Sequence, residues 1–183
     1  RGPALRSTGV FKPISREGGL LLNNLVMSTG CAVVLLGTLY PLFLDAVGGS
    51  KVSVGPPFFN SVFIPLMVPM FMAMGFGPFL SWKRADIVQA ALRLKIAFVV
   101  AGVAVAAAVA IAGEGPFLGL VGLGLAAWLM TSTLVELAER IKLFKEPLTT
   151  SLGRLLRQPR ASWGMTFAHL GMAIAIAGMA GAG

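Results

Sequence analysis

Residues 161–183 read ASWGMTFAHLGMAIAIAGMAGAG and contain no charged side chain. A helix needs about 20 apolar residues to cross the hydrocarbon core of a bilayer. In lipid the backbone must satisfy its own hydrogen bonds, so an uncharged run of this length is helical. The stretch therefore predicts a transmembrane helix over 162–183. It also carries His169, the one histidine of the chain.

Four more uncharged runs, at 18–44, 52–82, 96–113 and 115–135, lie upstream of this helix. They predict transmembrane helices near 18–44, 56–82, 94–113 and 115–135, the third borrowing the apolar stems of Arg93 and Lys95. The predicted fold class is an all-α integral membrane helical bundle with five transmembrane helices. We expect residues 1–183 to be a single transmembrane region of a larger protein.

The composition agrees with this class. Apolar residues make up 56% of the chain and charged residues 12%, with a mean hydropathy of +0.85. A soluble domain carries about 25% charged residues. A disordered tail, an ordinary cytosolic enzyme and a disulfide-rich module are excluded, the last because there is one cysteine. The net charge of +8 fits basic residues at membrane borders and predicts no nucleic-acid partner.

The distribution of Lys and Arg predicts the orientation. Counted from the N-terminal segment through each successive loop, the numbers are 4, 1, 4, 0 and 6. The positive-inside rule then places the N-terminus in the cytoplasm and the C-terminus in the periplasm. Residues 136–160 form a basic, amphipathic cytoplasmic segment, for which the simplest interpretation is a helix at the anionic lipid surface. A partner-docking role is the alternative.

His169 is the one residue that suggests chemistry, since the glycines form no phosphate-binding loop and no nucleophile triad is present. It lies six residues after Trp163, about 9 Å along the helix, and ionisable groups at that depth are functional candidates. Three interpretations remain open. The imidazole could hydrogen-bond a neighbouring helix, relay protons with a carboxylate that the five spans lack, or bind a metal or haem iron.

Small residues recur around this histidine. Gly164, Ala168, Gly171, Ala175 and Gly178 follow a 4-3-4-3 spacing. We expect this stripe to lie beside His169 and to admit either a flat macrocycle or a neighbouring helix. A six-coordinate haem needs a second axial ligand, and the chain has no other histidine to supply it.

Several motifs, in order along the chain, resemble the CcmF family of cytochrome c maturation proteins. They are Ser15-Arg16-Glu17, Leu22-Asn23-Asn24, Leu36-Gly37-Thr38-Leu39-Tyr40-Pro41, Val54-Gly55-Pro56-Pro57-Phe58-Phe59-Asn60, Met67-Val68-Pro69, Gly75-Phe76-Gly77-Pro78, Trp163-Gly164-Met165 and His169-Leu170-Gly171.

The resemblance implies a multi-pass protein of the bacterial inner membrane that acts in cytochrome c-type biogenesis, as the haem lyase that attaches reduced haem to apocytochrome c. It implies haem b inside the membrane, with His169 as one axial ligand of the iron and the second histidine outside this sequence. The implied partners are the haem chaperone CcmE, CcmH-type thioreductase subunits, apocytochrome c, quinol and membrane lipid. No catalytic residue is implied within the chain.

Parts of the family pattern are missing from these 183 residues. The tryptophan-rich periplasmic segment, the two periplasmic histidines that flank the incoming haem and the large outer domain are absent, so we expect an internal fragment that is inactive as a lyase alone. Two alternatives remain. One is a paralogue that matures nitrite reductase, and the other is a transporter or membrane scaffold in which His169 only packs helices.

Overall fold

The computed structural model describes residues 11–49, 51–113 and 116–182, without the side chain of Ala112. The described residues are all-α. The seven helices they form are α1 (Arg16–Ala46), α2 (Pro56–Phe76), α3 (Ile87–Arg93), α4 (Lys95–Ala112), α5 (Phe117–Arg140), α6 (Leu148–Leu156) and α7 (Arg160–Ala182). By length and composition, α1, α2, α5 and α7 can each cross a membrane, and the bent pair α3–α4 makes a fifth span. The prediction of a helical membrane bundle is confirmed.

The contacts divide the chain into two units, Arg1–Met70 with Leu80–Val88, and Phe71–Phe79 with Gln89–Gly183. In the first unit, Ser15 caps α1 because its hydroxyl accepts a hydrogen bond from the amide of Gly18 at 3.0 Å. Further along α1, a Cβ on Gly30 would lie 2.7 Å from the Cε of Met67 on α2. A small residue at this position lets the two helices approach closely.

The second helix ends at Phe76, six residues before the predicted residue 82. A 3-10 turn at Gly77–Phe79 follows, containing Pro78, which has no amide hydrogen to continue the helix. Trp82 therefore lies outside α2, where the Arg16 guanidinium stands 5.2 Å from the centre of its ring. The indole packs beside the start of α1 instead of ending a transmembrane helix.

The predicted helix 94–113 is the second half of a longer, broken element. Helices α3 and α4 meet at a bend of 60° around Leu94, whose amide donates to the carbonyls of both Ala90 and Ala91 at 3.1 Å. Such a shared bond marks a local tightening toward 3-10 geometry. Arg93 is the last residue of α3 and Lys95 the first of α4, so the charges that interrupt the apolar run lie on either side of the bend.

The second unit is centred on α5, which packs against both α4 and α7. Trp128 of α5 is 2% exposed and contacts the rings of Phe76 and Phe98 at centroid distances of 5.2 and 4.5 Å. The predicted start of this helix, residue 115, lies outside the described residues, as does residue 183 at the predicted end of the last helix. Helix α7 begins at Arg160, directly after Pro159.

The segment 136–160 is only partly the separate cytoplasmic helix that its pattern predicts. Residues 136–140 continue α5, which ends five residues beyond the predicted 135. A turn follows, in which Lys142 and Phe144 adopt positive φ angles of 55° and 68°. Helix α6 then occupies only Leu148–Leu156, after the extended Pro147.

Candidate functional site

His169 lies on α7 and makes one hydrogen bond within its own helix. Its Nδ1 stands 2.8 Å from the carbonyl oxygen of Met165, one turn earlier. A carbonyl oxygen can only accept, so this bond requires a proton on Nδ1. In a neutral ring the lone pair is then on Nε2, the atom through which imidazole ligates a metal. The same bond fixes the ring orientation, as outer partners of metal-binding histidines do.

The ring borders a small pocket within the second unit, with a cavity volume of about 10 Å³. Residues from the end of α2, from the 3-10 turn after it, and from α5 and α7 line this pocket. They are Met74, Gly75, Pro78, Ser132, Thr133, Glu136, Met165 and His169. The pocket combines two thioethers with one imidazole and one carboxylate, so it is a mixed apolar and polar site.

The two hydroxyls of the pocket have partners of their own. Ser132 and Thr133 both donate to the carbonyl of Leu129, at 3.1 and 2.7 Å respectively. A hydroxyl that donates its proton to a backbone carbonyl of its own helix has no second proton to donate. These side chains therefore give the wall a polar character without leaving a hydroxyl proton free for a ligand.

From the sequence, Glu136 is expected outside the transmembrane helices. In the structure its carboxylate lines the pocket. Because α5 runs on to Arg140, Glu136 remains helical and lines the same pocket as His169. Two Arg140 nitrogens bind it, with Nε donating to Oε1 at 3.0 Å and Nη2 to Oε2. The absence of a carboxylate from the spans, expected from the sequence, is thus corrected.

Arg140 also joins α5 to α7, because its Nη1 donates to the carbonyl of Ser162 at 3.3 Å. Glu136 and Arg140 are an i, i+4 pair, the spacing at which opposite charges meet on one helix face. That spacing is readable in the sequence and could have extended the predicted helix. No hydrogen bond joins Glu136 to His169 in the described part of the chain.

The small-residue stripe is not beside the histidine. At about 100° per residue, Gly164, Ala168, Gly171, Ala175 and Gly178 lie roughly 100–180° from His169 around α7. The buried residues Thr166, Ala173 and Ile176 lie on the His169 side. All five stripe residues are exposed, and a Cβ added to any of the three glycines would meet nothing within 4 Å. Within the described residues, no helix packs on the stripe.

His169 fits the role of an axial haem ligand, but its pocket does not fit a whole haem. Organic ligands occupy pockets of about 300–1,000 Å³, and this one is smaller. Among the described residues, no group of three or more His, Cys, Asp or Glu could hold a metal ion. An iron bound here would need the equatorial ligands of its own macrocycle. To such a group the described residues would offer one imidazole nitrogen and part of a wall.

Fold and site together define the chain as a segment of an all-α membrane bundle with a single histidine set into one of its spans. Comparison with known proteins gives it a family. It is 42% identical to cytochrome c-type biogenesis protein CycK of Bradyrhizobium diazoefficiens and to CycK of Rhizobium meliloti, over 98% of the chain in each case. It is 37% identical to cytochrome c-type biogenesis protein CcmF of Pseudomonas aeruginosa, again over 98% of the chain.

The chain therefore belongs to the CcmF/CycK family of cytochrome c-type biogenesis proteins. It spans about a quarter of the length of these relatives, 27% of the first and 26% of the other two. No model of a known protein family matches it. No solved structure matches it either.

Proposed function

We propose that this chain acts in cytochrome c maturation, as a segment of a membrane haem lyase that delivers reduced haem and attaches it to apocytochrome c. The support is the identity of 31–42% to proteins named for cytochrome c-type biogenesis, over 98% of the chain. Covalent attachment is proposed for the whole protein, since this chain corresponds to about a quarter of its relatives.

Within that role, we propose His169 as an axial ligand of a haem b inside the membrane. The observation that carries this proposal is the 2.8 Å contact between Nδ1 and the Met165 carbonyl. It leaves Nε2 as the unprotonated nitrogen of a neutral ring, as ligation requires. When bound, haem b supplies one-electron redox chemistry.

The neighbouring residues have supporting roles in this proposal. The Met165 carbonyl holds the imidazole tautomer and orientation. The bond from Arg140 to the Ser162 carbonyl ties α5 to the first turn of α7, two turns before His169, and so sets the level of the histidine against α5. Glu136 neutralises Arg140. The second axial histidine and most of the walls around the macrocycle would come from outside the described residues.

We also propose the membrane in which the protein lies and the partners with which it acts. The protein lies in the bacterial inner membrane with residue 1 cytoplasmic and residue 183 periplasmic, as the alternating counts of basic residues indicate. Its partners are the haem chaperone CcmE, CcmH-type subunits, apocytochrome c and a quinol that supplies electrons. These assignments follow from the family resemblance.

The ligand proposal is tested by absorption spectra of the purified natural protein that carries this sequence, in the oxidised and dithionite-reduced states. The variants are His169→Ala, His169→Gly and the control Ile174→Ala. Ile174 is on the same helix and 62% exposed, so its truncation should leave the spectrum intact. We expect b-type bands in the wild type and in the control, and their loss in His169→Ala.

Added imidazole distinguishes a His169 that ligates iron from a His169 that only packs helices. If His169 ligates iron, free imidazole added to His169→Gly should restore six-coordinate bands, because it can occupy the vacated position. Unchanged bands in His169→Ala would show that the iron is held elsewhere and that His169 only packs helices. A wild-type protein without haem would favour the scaffold or transporter alternative.

A further inference from the structure

Helix α6 presents three of its leucines to the outside and buries a serine. Leu148, Leu152 and Leu156 are 72%, 57% and 77% exposed, whereas Ser151 is 1% exposed. The leucines follow i, i+4, i+8 spacing, so they form one ridge along the helix. We call these three residues the leucine ridge. A face of this kind is unfavourable in water and favourable among acyl chains.

Positive charge flanks the ridge at both ends. Lys145 precedes α6, and Arg157 and Arg160 follow it; all three are exposed. None of them has an ion-pair partner in the part of the chain that the structure describes. Lys142 and Arg154 differ, because both bind Glu146, at 3.3 and 2.7 Å. Three uncompensated cations therefore remain beside the ridge.

The chain connectivity keeps α6 at a membrane edge. The bond from Arg140 to the Ser162 carbonyl brings the end of α5 level with the start of α7, and both helices are long enough to span. Leu156 is four residues before Arg160, where α7 begins, which limits their separation to about 14 Å. The ridge thus lies within reach of lipid headgroups and the upper acyl chains.

We propose that α6 lies in the membrane interface, with the leucine ridge among acyl chains and with Lys145, Arg157 and Arg160 binding the phosphates of anionic phospholipids. The basic amphipathic pattern and the excess of positive charge select an anionic lipid surface over a neutral one. This inference is independent of haem binding at His169.

Spin labels on the natural protein in lipid nanodiscs test the proposal. The label is attached at Leu152→Cys, with Thr150→Cys as the matched control, both in a background where Cys31 and every other cysteine of the natural protein are replaced by Ser. Thr150 is exposed and lies about 160° around α6 from Leu152. Relaxation by oxygen reports lipid exposure, and relaxation by a nickel chelate reports water exposure. The nanodiscs contain either phosphatidylcholine alone or an equimolar mixture with phosphatidylglycerol.

We expect the ratio of oxygen to nickel relaxation to be several-fold higher at Leu152 than at Thr150, and to rise at Leu152 when phosphatidylglycerol is present. Replacing Lys145, Arg157 and Arg160 together with Gln should remove that rise. A Leu152 label as open to nickel as the Thr150 label, in both lipids, would overturn the proposal. So would a Leu152 label shielded from both reagents, because a protein surface would then cover the ridge.

Discussion

The indole Nε1 of Trp128 donates a hydrogen bond to the carbonyl oxygen of Met72 at 3.2 Å. Met72 lies four residues before Phe76, where α2 ends. Within α2 this carbonyl also lies at the i−4 position, where it accepts from the amide of Phe76. The indole therefore adds a second donor to it from α5, in the same unit that contains the His169 pocket. It links the α2 residues of the pocket wall to the helix that carries Glu136.

Replacing Trp128 with Phe should destabilise the protein by about 0.5–1.5 kcal/mol, because the hydrogen bond from the indole to the Met72 carbonyl is lost. Thermal unfolding in detergent, followed by circular dichroism, measures the loss. Trp163→Phe is the control, since Trp163 stacks on Phe167 at 5.4 Å and its indole donates no hydrogen bond within the described residues. Equal stability of the two variants would contradict the assigned role of the Met72 bond.

Replacing Gly75 with alanine should lower the stability of the protein, whereas replacing Gly102 with alanine should raise it. A Cβ on Gly75 would lie 2.5 Å from Nε1 of Trp128 and 2.9 Å from Oγ of Ser132, so the buried ring must move. We expect Gly75→Ala to cost about 1–3 kcal/mol. A Cβ on Gly102 meets nothing within 4 Å, and helix propensity should make Gly102→Ala stabilising by about 0.5–1 kcal/mol.

Thermal unfolding of the Gly75→Ala and Gly102→Ala variants tests both expectations. If Gly75→Ala unfolds at or above the wild-type temperature, Trp128 does not pack against α2 as the structure has it. Gly102→Ala serves as the internal check, because the two substitutions add the same atoms to helical glycines and differ only in what surrounds them.

Much of this fold could be predicted from charge alone, since uncharged runs of sufficient length are helices in lipid. The same criterion misplaced the ends of helices. It ended α5 at residue 135, directly before the Glu136–Arg140 pair, although paired charges are tolerated in a helix. It could not find the bend at Leu94, because that bend depends on the bifurcated hydrogen bond of one buried residue.

The site shows a similar division. His169 could be selected from the sequence as an ionisable group within a span. Glu136 could not be placed in its pocket, because that required the end of α5. The small-residue stripe was located correctly along the chain and wrongly around the helix. Spacings of three and four keep residues together on one face, but His169 falls between those steps, on the face that packs against α5.

Removing Arg140 alone should cost more than removing Arg140 and Glu136 together. Both side chains are largely enclosed, at 19% and 15% exposed. Arg140→Gln leaves a carboxylate without its partner, which costs about 3 kcal/mol for a buried pair, whereas replacing both charges is often close to neutral. A double-mutant cycle with Arg140→Gln and Glu136→Gln, read by thermal unfolding, tests this. Strictly additive losses would show that the two charges do not interact.

The turn before α6 should loosen in acid through Glu146. Partial burial opposes ionisation of this carboxyl, but hydrogen bonds from Arg154 and Lys142 outweigh that effect and lower the pKa of Glu146 below its ordinary 4.5. The stability that these bonds add is therefore present above about pH 4.5 and is lost as pH falls through the lowered pKa. A spin label at Thr150 should become more mobile over that range. Glu146→Gln should abolish the transition and Arg154→Gln should weaken it. An identical acid transition in Glu146→Gln would assign it to another group.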